Sequence, residues 1–260
     1  MRILVSNDDG IDAPGLRTLA KVLGEKHEVY VFAPNGERSS LSHSVTYWRL
    51  DNKAYKREVE GALAAWAIDG TPADCVYYGI TTFMEKKPDL VITGINRGEN
   101  LSTDCLYSGT VGAAAEGTVM GIPAIAVSYC GKADEDYETS AYIAEALIPY
   151  LMAEEECRKI LLNVNVPAVA RKDIKGIRIT SFEGMKDYVK KIECVDLDDG
   201  SIVLHCPRQD CGLTGERRTL DGDITAVRCG YVSVTPLGLD MVDHHRSKML
   251  EKWDDIELFR

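Results

Sequence analysis

Short apolar runs alternate with polar turns and with stretches of helical spacing along most of this chain. Ile3, Leu4 and Val5 form the first run, Ser6-Asn7-Asp8-Asp9-Gly10 breaks it, and Gly15-Leu16-Arg17-Thr18-Leu19-Ala20 starts a helical pattern. A strand, a polar turn and a helix in that order open a βαβ unit. Residues 27–33 (HEVYVFA) read as a second buried strand, followed by a hydroxyl-rich loop at 39–44. The short segments 45–50, 55–59 and 63–68 resemble an antiparallel insertion more than further βαβ units. A helix is expected over 72–84, with Thr71 as its N-cap and Pro72 in its first turn. Strands are expected at 89–93, 124–128, 160–166 and 231–235, and helices at 110–120 and 137–153. The alternation predicts an α/β fold with a doubly wound, mostly parallel sheet over residues 1–170. From 171 to 260 the segments are short and mixed, and they read as strands and hairpins extending the same domain.

Bulk properties narrow the function. The chain has 260 residues, enough for one large α/β domain, with 45% hydrophobic and 27% charged residues, as in ordinary globular proteins. Its net charge of −11 argues against a general binder of long nucleic acid, whose footprint is basic. A small anion remains possible where a metal and local arginines reverse the field. No apolar run approaches a membrane span, and a strand at the very start leaves no room for a signal peptide. Most of the eight cysteines spread along such a chain are expected to be reduced thiols, which suits a cytoplasmic protein.

The chemistry concentrates in loops that follow apolar strands. Ligands in open α/β sheets bind beyond the carboxyl ends of the strands, where Asp8 and Asp9 are expected. Two adjacent carboxylates repel, and a hard divalent cation is the simplest compensation. One of the pair could instead cap the next helix, but a helix needs a single cap, and Ala13-Pro14 intervene. A second loop offers Ser39, Ser40, Ser42 and Ser44 with Arg38, and a third offers Asn96, Arg97 and Asn100. These are oxygen ligands and anion binders, without the Cys/His set that zinc prefers. Ser108-Gly109-Thr110 opens the Ala-rich helix, and it fits either an anion site or an ordinary cap.

Other features carry less. Cys194, Cys206, Cys211 and Cys229 lack paired zinc spacing. Asp243, His244 and His245 read as a solvated or interface element. The glycines near the strand ends form no dinucleotide fingerprint. His43 fits a substrate contact or a hydrogen-bonded structural role.

Seven segments together resemble the SurE family of stationary-phase survival proteins: 3–15 (ILVSNDDGIDAPG), 33–46 (APNGERSSLSHSVT), 69–76 (DGTPADCV), 88–100 (PDLVITGINRGEN), 107–117 (YSGTVGAAAEG), 162–167 (LNVNVP) and 223–237. The resemblance implies a SurE-like fold and a metal-dependent phosphatase of nucleoside 5′- and 3′-monophosphates. It implies one divalent ion per subunit, Mg²⁺ or Mn²⁺, held by Asp8, Asp9, Ser39 and Asn96. Ser40 stands where the family often has glycine. It also implies homodimers or homotetramers built through the C-terminal hairpins. With that, Asp8, Asp9 and Asn96 become the expected catalytic set, and Ser39, Arg97, Ser108, Gly109 and Thr110 the expected phosphate-binding set. Two rivals are a nucleotide-sensing module without turnover and an aspartyl-phosphate phosphatase of the haloacid dehalogenase kind. The second needs an acid two residues after its nucleophile, where this chain has Gly10 or Ile11.

Overall fold

The structure is a computed structural model, and it describes residues 1–131, 137–153, 156, 160–187, 192–205, 212–214 and 219–253. Among these, nine strands form one sheet. In chain order they are β1 (Arg2–Ser6), β2 (Glu28–Pro34), β3 (Ala54–Arg57), β4 (Ala62–Ile68), β5 (Leu90–Arg97), β6 (Ala124–Tyr129), β7 (Leu161–Val166), β8 (Ile177–Ile179) and, later, β13 (Val232–Leu237). Their spatial order is β3-β4-β2-β1-β5-β6-β7-β13-β8. β4, β2, β1, β5, β6 and β7 run parallel, while β3 and β13 are antiparallel to their neighbours β4 and β7.

Alternation along the strands supplies two apolar faces. Ile3 and Val5 of β1 pack on one side with Leu16, Leu19 and Leu23 of α1 (Pro14–Gly24) and Leu147 and Ile148 of α4 (Glu138–Ala153). Leu4 points to the other side, with Val76 of α2 (Pro72–Tyr78) and Val111 and Ala114 of α3 (Gly109–Val119). A period of two on a strand covered by helices on both faces is what makes the sheet doubly wound. The direction of the chain changes sides between β1 and its neighbours β2 and β5, which opens a crevice above their carboxyl ends.

Three expected elements differ. The segment at 45–50 forms turns and no strand. Within the expected antiparallel insertion only β3 is antiparallel, because β4 enters the sheet parallel to β2 and separates it from β3. The return stroke between two parallel strands is here a strand and not a helix, so the short link 58–61 looked like an isolated hairpin. The helix at 72–84 has the expected Thr71 cap, completed by Asp74 as a capping box, but ends at Tyr78 and widens into a turn over Gly79–Phe83. Thr81 there donates its hydroxyl to the Tyr77 carbonyl at 2.8 Å, a local bond that competes with the regular helix ladder.

β5 also continues past its expected end at residue 93. Pairing resumes at Asn96 with Ser128 and Arg97 with Tyr129 after an irregularity. Gly94 permits this, since its φ is +118° and an added Cβ would lie 2.2 Å from the Val127 carbonyl oxygen. Asn96 and Arg97 therefore stand on a strand end and are held by the sheet.

The remaining elements are β9 (Met185–Asp187), β10 (Glu193–Asp196), β11 (Ile202–His205), β12 (Gly212–Thr214), α5 (Asp223–Arg228) and α6 (His244–Leu250). β10 pairs with β11, and β12 with β9, in two small antiparallel ladders. Cys194 lies exposed on β10 and Cys229 is half-buried after α5, whereas Cys206 and Cys211 lie outside the described residues. No helix among the described residues is long and apolar enough to cross a membrane.

Candidate active site

The turn that ends β1 is built by Asn7. Its side-chain amide donates to the Gly10 carbonyl at 2.9 Å, and its oxygen accepts from the Gly10 amide at 3.2 Å. This closed turn presents Asp8 and Asp9 beyond the strand. Neither acid caps α1, whose N-cap is Ala13 with no side-chain hydrogen bond.

Asp8 is only 3% exposed. Burial raises its pKa from the usual 3.8 to about 6, the Asp9 charge adds to this, and a hydrogen bond from the Thr110 hydroxyl opposes it. The N-terminus of α3 lies directly against it. Gly109 comes so close that an added Cβ would lie 2.8 Å from the Asp8 Cβ and 2.9 Å from its Oδ2. Only glycine allows that approach. The positive end of α3 thus lies beside the Asp8 carboxylate.

Asp9 is partly exposed and accepts from the Arg97 backbone amide at 3.1 Å. Its pKa is also raised, first by burial and then by Glu37, against the lowering influence of the Arg97 amide and guanidinium. The Arg97 guanidinium lies 3.9 Å from Glu37, and Glu37 accepts from the Ser39 hydroxyl at 3.0 Å. The Arg38 amide donates to the Asp8 carbonyl at 2.6 Å. The three polar loops therefore converge, joined through Asp9, Arg97, Glu37 and Ser39. Asn96 donates its amide to the Gly98 carbonyl at 2.9 Å, which uses the nitrogen and leaves the side-chain oxygen for another partner.

Ser39 is exposed and bonds to Glu37, with no hydrogen bond to Asp8 or Asp9. Ser40 and Ser42 after it have φ of +61° and +56°, a left-handed backbone that serine rarely takes. Ser42 is tied at 3.0 Å to the Tyr107 carbonyl and at 2.6 Å to that of Leu106. His43 pairs at 2.8 Å with the buried Glu116 on α3, a contact that fits the hydrogen-bonded role expected for it.

Ser108 and Thr110 divide the roles expected of them. Ser108 is the N-cap of α3, accepting from the Val111 amide at 3.1 Å while its own proton stays available. Thr110 was expected to hold phosphate, but it is fully buried and its hydroxyl proton goes to Asp8. The Thr110 side chain is thus turned toward Asp8.

The donor set suits a hard cation. No three His, Cys, Asp or Glu side chains among the described residues cluster as metal ligands, so an ion at Asp8 and Asp9 has to be completed by neutral oxygens. The Asn96 amide oxygen and a serine hydroxyl of the adjoining loop are of that kind. Two contributors carried no role in the sequence reading: Glu37, which links Arg97 to Ser39, and Asp223, which reaches Ser102. Glu37 had a signal in its place beside Arg38. Asp223 had only its position ahead of a short helix, and its partner lies 121 residues away.

Known proteins match this chain along nearly its full length. The family model described as "Survival protein SurE" matches residues 3–189. A protein of Syntrophomonas wolfei named 5′-nucleotidase SurE is 40% identical over 259 residues, covering 97% of this chain and 94% of its own. One of Salmonella arizonae named 5′/3′-nucleotidase SurE is 41% identical, with 98% and 97% covered. The crystal structure of the SurE protein from Aquifex aeolicus superposes with a TM-score of 0.81 at 35% identity, covering 98% of this chain and 100% of that one. With the acidic pair after β1, the strand end carrying Asn96 and the sheet order all within a match of that extent, the chain belongs to the SurE family.

Proposed function

We propose that this protein hydrolyses nucleoside 5′- and 3′-monophosphates to nucleoside and phosphate, using one divalent ion, Mg²⁺ or Mn²⁺, held by Asp8, Asp9, Ser39 and Asn96. The observation that carries the reading is a pair of neighbouring carboxylates, one nearly fully buried, standing at the start of α3 among oxygen donors. A buried carboxylate whose protonation is favoured by its surroundings is unfavourable as an anion until a cation joins it. The nucleotidase names of the two relatives point the same way.

When bound, the ion supplies Lewis acidity at a phosphoryl oxygen. The rest falls to the chain. The Ser108 hydroxyl and the Gly109 amide bind phosphoryl oxygens, and the Arg97 guanidinium balances their charge. Asp9, the more exposed acid, takes the proton of the attacking water. Thr110 orients Asp8 and does not touch substrate.

Assembly as a homodimer or homotetramer is part of the same reading. Every residue of β10 and β11 is exposed, including Val195, Ile202, Val203 and Leu204. A lone two-stranded ladder with such surface is marginal in water and gains from a second copy. The five described cysteines are all free thiols, which supports a cytoplasmic location.

The test is phosphate release from AMP and 3′-AMP by the pure protein with Mg²⁺, with Mn²⁺ and with a chelator. Turnover that depends on the metal is expected for both esters. An unchanged rate in chelator removes the metal from the reading, and nucleotide binding without turnover makes the protein a sensor instead.

A further inference from the structure

Asp223, at the start of α5, has no exposed surface, yet it lies far from the acids of β1 in sequence. Its carboxylate accepts three backbone amides. Oδ2 takes Ser102 at 2.6 Å, and Oδ1 takes Glu183 at 3.1 Å and Ile224 at 2.9 Å. Glu183, itself buried, returns the arrangement by accepting from Thr225 through both its amide and its hydroxyl, each at 2.6 Å. The Ser102 hydroxyl donates to the Gly184 carbonyl, and the Ser102 backbone is held at a φ of +53°. Three stretches of chain, at 102, 183–184 and 223–225, thus meet at one buried carboxylate.

The position of this knot gives it meaning. Ser102 starts a 3-10 turn (Ser102–Leu106) that runs straight into the site, since the Ser108 amide bonds to the Asp104 carbonyl at 3.0 Å and Ser108 caps α3. The other two stretches are the two feet of the arm that carries β9 to β12: residues 183–184 lead into it and 222–223 lead out. The feet are paired, the Asp223 amide bonding to the Ser181 carbonyl at 3.0 Å and Ser181 to the Asp221 carbonyl at 2.8 Å.

We infer that Asp223 is a positioning residue that sets the height of Ser108 and Gly109 over Asp8, and that through it the seating of the arm governs the rate at the site. The inference rests on the phosphatase reading above and goes beyond it by placing control of that site in the arm.

Two substitutions separate positioning from simple support. Asp223→Asn keeps an oxygen for Glu183 and Ile224 but puts an amide where Ser102 needs an acceptor, so it cuts the link to the site alone. Thr225→Val removes the hydroxyl bond to Glu183 and leaves Ser102 untouched. With AMP and saturating Mn²⁺, well below the unfolding temperature, Asp223→Asn is expected to lower kcat about ten- to a hundredfold. Thr225→Val is expected to stay within about twofold of wild type, at a comparable loss of thermal stability. Amide hydrogen exchange over residues 102–112, followed without substrate, should quicken about tenfold in Asp223→Asn and stay unchanged in Thr225→Val. Wild-type kcat and exchange in Asp223→Asn overturn the inference, as do equal losses in both variants. A wild-type protein that leaves AMP intact overturns the phosphatase reading instead, and the exchange comparison still decides the role of Asp223.

Discussion

Replacing Asp8 by Asn should abolish turnover and, in the absence of metal, make the protein more stable. The side chain is 3% exposed, and burial lifts its pKa from 3.8 to about 6. A group whose folded pKa lies above its unfolded one contributes nothing adverse below pH 3.8, where both states are protonated. As pH rises from 3.8 the unfolded chain releases its proton first, so stability is lost until pH passes about 6 and is constant beyond. At about 1.36 kcal/mol per pH unit, ionised Asp8 costs the metal-free fold about 3 kcal/mol at pH 7.5. Asn has the same shape, keeps an oxygen for the Thr110 hydroxyl, and carries no charge. The variant should therefore unfold in urea with about 2–3 kcal/mol more stability than wild type in chelator at pH 7.5, or roughly 5–10 °C higher in Tm. At pH 4.5 the gap should shrink to about 1 kcal/mol. Added Mn²⁺ should raise the Tm of wild type and not that of the variant. A variant less stable than wild type in chelator, or a gap that ignores pH, would refute the argument that burial of an ionised Asp8 is what the cation relieves.

The two hydroxyls at the start of α3 should separate in kinetics. Ser108→Ala loses a cap worth about 1 kcal/mol and a donor to phosphate, so kcat/KM for AMP should fall about tenfold. Thr110→Val removes a buried bond to a carboxylate worth roughly 1.5–3 kcal/mol, and Mn²⁺ affinity measured without substrate should weaken with it; unchanged affinity would remove Thr110 from the orientation of Asp8. The net charge of −11 should repel long polyanions, so AMP should be cleaved at least about a hundredfold faster than a long single strand of RNA at low salt, and equal rates would contradict this. Leu204→Lys in β11 should reduce the particle size seen by light scattering, while an unchanged mass would take that face out of assembly.

The parallel core was legible because its signals are local. The apolar runs at 3–5, 27–33, 89–93 and 160–166 alternate with helical spacing, and each strand end carries its polar residues within a few positions. Asp8 and Asp9 stood out for the same reason, as two acids where a single cap suffices. What escaped depends on contacts distant in sequence. β4 shows one half-buried and one buried face whichever way it runs, so nothing in its residues tells parallel entry beside β2 from a free hairpin. The bond from Thr110 to Asp8 was not visible because a hydroxyl at a helix start usually faces solvent, and the seating of Gly109 on Asp8 turns it inward. Asp223 gave no sign because its partner amide belongs to a loop more than a hundred residues earlier.

The place of β13 in the sheet bears on how the protein is made. It lies between β7 and β8, so β8 at 177–179 is synthesised about fifty residues before the strand it pairs with at 232–237. On a ribosome adding about 5–20 residues per second, this is a delay of roughly 3–10 s. Throughout it the edge of β7, with Leu161, Val164 and Val166, has no neighbour on that side, the kind of surface that other nascent chains pair with. The segment that delivers Asp223 emerges in the same interval. Sheet closure and the seating of Asp223 therefore fall in one late interval of biosynthesis, and a chain stalled before it lacks the tie at Ser102.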